Sequence, residues 1–409
     1  MRVIFVNLHA NEMLLKTLPK FVFKQSCAIK HGYLLDYLLN SDIEVCSYIN
    51  SKGFSLMHNG NKYVLKLLNL FRFIEHNYVL KKNKIQKNKI KVLKNQSEIK
   101  NDDIVILYRH CKDQFNDLDN IEAYKVISMI HFWGSRIENK LINNIKPDCL
   151  INESNLRKNS EIFRRYYDYN GEWIIHPFVN QPRFKNNNKF SERKNKAFSV
   201  GTITYKNDPD FVEVYGDPCD QPSRKQIKDN PEYLEGCVDC YSSDYNEDSN
   251  LKATSANDNK FIAFYKKLYN RFNSGQQKKY FSFDMVEKFN EYKMCIVGEE
   301  ILGVPGIGFV EGMACGCAYI GLDSPMYTDL GLYPGEHYIG YDGSLEDLKR
   351  IITYYQKEEN QKELEEIATN GYEYVKKNFN SITAAENLIK AIIEKQQNWL
   401  KGMSDNDIK

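Results

Sequence analysis

Arg2 to Leu8 is a short, unbroken apolar run, the pattern of a strand buried on both faces. His31 to Leu39 changes to helical spacing, and Ile43 to Ile49 returns to strand character. Four more buried strands are predicted over Ile104 to Tyr108, Lys125 to Ile130, Cys149 to Ile151 and Trp173 to Ile175. Lys185 to Lys196 (KNNNKFSERKNK) has almost no apolar content and reads as a linker. Ala197 to Val200 then opens a second set of elements. Asn207 to Asn259 is polar and irregular, which predicts a surface insertion over part of it. Met294 to Val297 and Ala318 to Leu322 are predicted strands, with a helix over Phe309 to Cys315 between them. Ser344 to Tyr355 is a predicted helix that Ser344 and Asp347 cap, and the last 45 residues are amphipathic helix.

Strands alternating with helices imply parallel sheets with crossover helices, and ligands that sit beyond the carboxyl ends of the strands. A chain of 409 residues exceeds what one core usually supports, so two α/β domains are expected. They are placed at 1–190 and 191–385, with a helix and tail over 386–409.

Composition narrows the function classes. Net charge is +2, from 56 basic and 54 acidic residues, so nothing pulls the chain generally toward nucleic acid. Ten scattered cysteines look like reduced thiols. Cys237 and Cys240 form a C-x-x-C with Cys219 upstream, but no fourth zinc ligand follows, and no metal site is assigned. Asp208-Pro209-Asp210 has spacing suited to a cation and is read as a turn. No targeting segment is visible, and Lys66, Arg72, Glu75 and His76 break the most apolar stretch, Tyr63 to Leu80. A cytoplasmic protein is expected; the Lys and Asn content suits an AT-rich bacterial genome. The basic run Lys81 to Lys91 follows that apolar stretch. It reads either as a solvated insertion or as a surface resting on anionic lipid, a peripheral contact with the inner membrane.

The most informative segment is Gly303 to Gly316 (GVPGIGFVEGMACG). Glycines let backbone approach a ligand closely, and a helix start offers N–H groups and partial positive charge to phosphate. Glu311 lies one turn into that helix, where a carboxylate could accept both hydroxyls of a ribose. The bland alternative is a glycine turn that packs a helix against a sheet, leaving Glu311 exposed.

The stretch from Glu299 to Lys349 resembles the donor-binding half of GT-B glycosyltransferases of the group 1, family 4-like kind, which include many bacterial surface-polysaccharide enzymes. Glu311-Gly-Met-Ala-Cys-Gly316 matches the second glutamate of their paired-glutamate pattern, and Gly303 stands where the first would be. Glu299 and Glu300 lie upstream, out of register. Trp173 to Phe184, Phe198 to Thr202 and Leu330 to Tyr354 resemble neighbouring family segments in order and spacing. The resemblance implies two Rossmann-like domains facing a cleft, with a C-terminal helix crossing back to the first. It implies a nucleoside-diphosphate sugar as donor on the second domain and a glycan or lipid-linked acceptor on the first. It also implies retaining transfer without a metal or cofactor.

The candidate donor-binding residues are Gly201, Thr202, Glu300, Gly303, Gly306, Ile307, Gly308, Phe309 and Glu311. Arg224 and Lys225, at a helix start, are candidates to hold the leaving diphosphate. His131, at a strand's carboxyl end, is the candidate to contact or deprotonate an acceptor hydroxyl, with Trp133 able to stack on its ring. His110, His9 and Asn11 are weaker acceptor candidates. Two competing classes remain: a Rossmann-type oxidoreductase, whose G-x-G-x-x-G is missing after the first strand, and a non-catalytic partner protein on the same fold.

Overall fold

The computed structural model describes residues 1–10, 13–14, 31–49, 62–108, 118, 120–130, 132, 134, 142–244 and 283–406. The first half builds a seven-stranded sheet from β1 (Arg2–Val6), β2 (Glu44–Tyr48), β3 (Lys91–Leu93), β4 (Ile104–Leu107), β5 (Tyr124–Ser128), β6 (Cys149–Asn152) and β7 (Glu172–Ile175). Their order is β3-β2-β1-β4-β5-β6-β7, and every pairing is parallel. The continuous apolar runs are explained by burial on both faces. Val3 and Phe5 join one core cluster, whereas Ile4 and Val6 join the other. The edge strand β3 begins at Lys91, the last residue of the basic stretch that reads as an insertion. It is three residues long and buries only Leu93, too short an alternation to register in sequence.

The second half has β8 (Lys194–Ser199), β9 (Thr202–Ile203), β10 (Val238–Cys240), β11 (Ser243–Asp244), β12 (Tyr292–Ile296), β13 (Ala318–Leu322) and β14 (Ile339–Tyr341). Five of these form a parallel sheet in the order β10-β8-β12-β13-β14, and β9 pairs with β11 separately.

Two sequence expectations are corrected here. The polar linker is tied down by hydrogen bonds, which hydropathy does not register. The amides of Asn187 and Asn188 donate to Asn290 Oδ1, and buried Arg193 donates to Asn186, Asn188 and the Cys315 carbonyl. Its last residues, from Lys194, already belong to β8. Likewise the polar stretch after Asn207 is regular up to Asp244. It forms helices Pro209–Tyr215 and Pro222–Asp229 and adds β10 to the sheet edge. Asp208 is no simple turn, since its side chain accepts from the Asp210 amide at 2.9 Å and caps the first of these helices. Residues 245–259 lie outside the described residues.

Helix Leu345–Gln356 starts as its sequence signal predicts, with Ser344 Oγ accepting from the Asp347 amide at 3.1 Å. The last helix, Ser381–Asn406, leaves the second half and packs on the first. Its Leu388, Ile389 and Ile392 share a cluster with Val3, Phe5 and Leu34, while Gln396 donates to the Asp102 carbonyl at 3.0 Å. The chain therefore forms two Rossmann-like α/β domains stitched by a returning helix, the architecture that the resemblance implies.

Candidate functional site

In both sheets the strand order reverses at one point, β1/β4 in the first and β8/β12 in the second. Such switch points open a crevice at the strands' carboxyl ends. At the second sheet's switch point the crevice holds Arg224, buried in helix Pro222–Asp229. Its guanidinium donates to the carbonyls of Val297, Thr202 (2.7 Å) and Gly298 (3.1 Å). Burial pulls its pKa down, and Glu300 and Glu299 oppose that pull. An arginine so held keeps its charge, fixed at the ends of β8 and β12.

The glycines expected to admit a ligand admit protein instead. A β-carbon on Gly201 would lie 2.6 Å from Arg224 Nε, and one on Gly306 would lie 2.9 Å from its Nη2. One on Gly308 would meet Val297 at 2.8 Å. At Gly303, φ is +85° and the missing β-carbon would fall on the Asn159 backbone of the first domain. The departure at this position thus has a steric cause: no glutamate fits where the two domains touch. Its neighbours Leu302 and Val304 are buried in the first domain's cluster with Phe132 and Phe163. Within the turn, the Phe309 amide donates to the Gly306 carbonyl at 3.1 Å, so it does not face an anion as expected. Ile307 and Glu311 are the half-buried members that reach outward from helix Gly308–Ala314 and its cap.

The remaining candidates divide. Thr202 meets Arg224 through its carbonyl. Glu300 pairs with Val304 across the loop, its amide donating to the Val304 carbonyl at 3.0 Å. Lys225 points away from the crevice and pairs with Asp217 at 3.4 Å, because it follows Arg224 on a short helix and falls on another face. His131, Trp133, His110 and Asn11 lie outside the described residues. His9 is buried beneath helix Lys62–Lys82, with Nε2 3.2 Å from Arg72 Nη1, and so turns from the crevice.

Sequence reasoning missed Glu299. Its buried Oε1 accepts from the Leu322 amide at 2.9 Å, Tyr327 Oη at 2.6 Å and Tyr319 Oη at 3.3 Å. Burial first, then Glu299's charge, raises the pKa of both tyrosines and keeps them as donors. This carboxylate ties the end of β12 to the end of β13 and sets the start of the glycine loop. Only the doubled Glu299-Glu300 hinted at it.

On the first domain the strand ends carry a different set of groups. Tyr108 follows β4, Glu153 follows β6 and His176 follows β7. His31 and Tyr33 lie at the start of helix Gly32–Leu39. Tyr33 Oη is hydrogen-bonded to His176 Nε2, and the Tyr108 hydroxyl lies 3.1 Å from His31 Nδ1. Burial lowers the His176 pKa to about 4 and raises that of Tyr33, so both are neutral at pH 7. His31, Tyr33, Glu153 and His176 line one cavity, and Ile307 of the glycine turn closes it from the second domain. The Tyr33–His176 and Tyr108–His31 pairs draw on three separate segments, so no local sequence motif announces them.

No family profile and no curated protein sequence matches the chain. Solved structures similar to it include the pneumococcal O-GlcNAc transferase GtfA in complex with UDP and GlcNAc, at 14% identity and a TM-score of 0.39 over 73% of this chain and 58% of that one. The chain thus spans under two thirds of GtfA. It is also similar to sucrose-phosphate synthase from Thermosynechococcus elongatus, at 11% identity and a TM-score of 0.46 over 99% of this chain and 100% of that one. HepE of Anabaena in complex with UDP gives 11% identity and a TM-score of 0.47 over 96% and 99%. The strand orders and the returning helix define the architecture by themselves.

Proposed function

We propose that the chain is a glycosyltransferase that moves a sugar from a nucleoside-diphosphate sugar to a hydroxyl of a bacterial cell-surface glycan. The observation that carries this reading is a cavity where the two domains meet. The tip of the glycine turn forms one wall, and His31, Tyr33, His176 and the Glu153 carboxylate form the other. A fixed positive charge, Arg224, stands behind the turn. The departing diphosphate develops negative charge, and a charge that needs no reorganisation is the physical answer to it. Arg224 would act chiefly through the field and not by the bidentate grip expected from sequence, since it is buried and three of its five N–H groups are committed to carbonyls. Glu311 is assigned the ribose hydroxyls, and the Tyr33 and His176 side the acceptor.

Two finer points belong to the same proposal. Transfer needs no metal, with Arg224 meeting the diphosphate charge, and it retains the anomeric configuration, as the resemblance implies. The acceptor is a glycan or a lipid-linked glycan at the cytoplasmic face of the inner membrane.

Thermal-shift screening against UDP, GDP, CMP and ADP sugars tests the donor side. One nucleotide series should stabilise the protein, and mass spectrometry of products with an acceptor panel should detect transfer. No stabilisation by any of the four, with the chain folded, would sink the reading. The twin possibility of a non-catalytic partner predicts nucleotide binding without transfer.

A further inference from the structure

Helix Lys62–Lys82 does what helices of folded domains avoid: it turns apolar side chains outward over its full length. Leu67, Leu70, Phe71, Ile74 and Tyr78 are all exposed, Phe71 to 59% and Ile74 to 55%. Their spacing puts them on one face. The opposite face carries His76, Val79 and Leu80, which are buried. This face is therefore a second apolar stripe, distinct from the one that holds the helix to its domain. No described helix is long and apolar enough to cross a membrane.

Charge beside the stripe is equally one-sided. Between residues 62 and 94 the chain holds nine lysines and one arginine against a single glutamate, Glu75, while the whole chain has a net charge of only +2. Lys81, Lys82, Lys84, Lys87, Lys89 and Lys94 are exposed. Lys82 reaches back over the Tyr78 ring with its Nζ 5.7 Å from the centroid, and Lys94 over the Phe73 ring at 5.3 Å, so cations and stripe adjoin. An open groove between the helix and β3 is lined by Phe73, Lys87, Lys89, Lys91 and Lys94.

We infer that this face docks on a bilayer rich in anionic phospholipid. The helix would lie in the interface with its stripe among the acyl chains, and the lysines would extend to headgroup phosphates. The same face suits no second copy of the chain, because a two-fold interface would set the lysine clusters against each other. Nucleic acid would satisfy the lysines but leave Leu70, Phe71 and Ile74 in water. The inference extends the proposed function to how a lipid-borne acceptor reaches the cleft, but docking does not require sugar transfer.

Flotation of the full chain with vesicles of phosphatidylcholine, with and without one third phosphatidylglycerol, tests it. Binding should be at least about tenfold stronger on the anionic vesicles and should fall as salt shortens the screening length. Leu70→Glu with Phe71→Glu should abolish it, and Lys87→Glu with Lys89→Glu should weaken it about tenfold or more. All four substitutions are at exposed positions, so an unchanged melting temperature and unchanged nucleotide shifts would separate lost docking from lost fold or a failed donor site. Equal binding to both vesicle types, or binding to neither, overturns the inference. So does a wild-type dimer in sedimentation that the Leu70 and Phe71 substitutions convert to monomer.

Discussion

The two switch points are built on the same parallel framework and end in opposite chemistry. At β8/β12 a buried guanidinium is locked to three backbone carbonyls, and glycines make room for it. At β1/β4 and the strands beyond it, two hydrogen-bonded tyrosine–histidine pairs gather beside a buried carboxylate, and burial holds Tyr33 and His176 neutral. A fixed positive charge suits a ligand that accumulates negative charge. Neutral donors and acceptors suit a hydroxyl that must be oriented. The fold supplies two equivalent crevices, and the residues following the strands make them unequal.

The largest effect that tests this difference is expected at the contact between the halves. Gly303→Glu restores the glutamate of the resembled pattern, but it places a side chain on the Asn159 backbone at a φ of +85°. The expected loss is about 3 kcal/mol or more of stability, or separation of the domains, read by denaturant unfolding. A stable, more active Gly303→Glu protein would mean that the domains are not closed as described. Next comes Arg224→Ala, which strips donors from the Val297, Gly298 and Thr202 carbonyls. That should cost on the order of 3 kcal/mol and abolish any nucleotide-dependent thermal shift. Arg224→Lys keeps the charge but lacks the planar fork that serves three carbonyls, so it should recover little stability. Near-complete recovery would make charge alone the requirement.

Glu311→Ala should act on binding and not on folding, because Glu311 is half-buried on the first turn of a short helix. Losing the hydrogen bonds that two hydroxyls donate to a carboxylate predicts about tenfold to a hundredfold weaker nucleotide affinity by calorimetry, with an unchanged melting temperature. Unchanged affinity would remove Glu311 from the donor site.

What the sequence disclosed follows from how far apart the interacting residues lie. Strands buried on both faces announce themselves locally, so β1, β4, β5, β6 and β12 lie where apolar runs place them. The segment around Glu311 is likewise contiguous, which is why its glycines and its carboxylate stand out together. Arg224 was legible as a basic helix start, but its partners lie more than seventy residues away at Val297 and Gly298. No spacing argument distinguishes it from Lys225 beside it. The linker's order depends on Asn290 and Arg193, polar residues whose work is invisible to hydropathy. The Tyr33–His176 and Tyr108–His31 pairs are assembled from three segments, so their members look like ordinary polar residues until the sheet brings them together.

The smallest expected effect probes the neutral side of the comparison through pH. Burial lowers the His176 pKa from 6.5 to about 4, so the folded protein holds this imidazole unprotonated while the unfolded chain takes up a proton. The unfolded state then binds more protons between those values, and stability falls as the pH drops from 6.5 toward 4. His76, lowered to about 4 by burial as well, adds to the same slope. His176→Gln should therefore cost about 1 kcal/mol at neutral pH for the bond to Tyr33, and should reduce the acid slope without abolishing it. Tyr33→Phe removes the same bond but leaves the imidazole buried, so it should cost a similar amount and keep the full slope. If His176→Gln left the slope as steep as in the wild type, the imidazole would already be reached by water. The strand ends of the first sheet would then be no more sheltered than an ordinary surface, and the contrast with the locked guanidinium would lose one of its two sides.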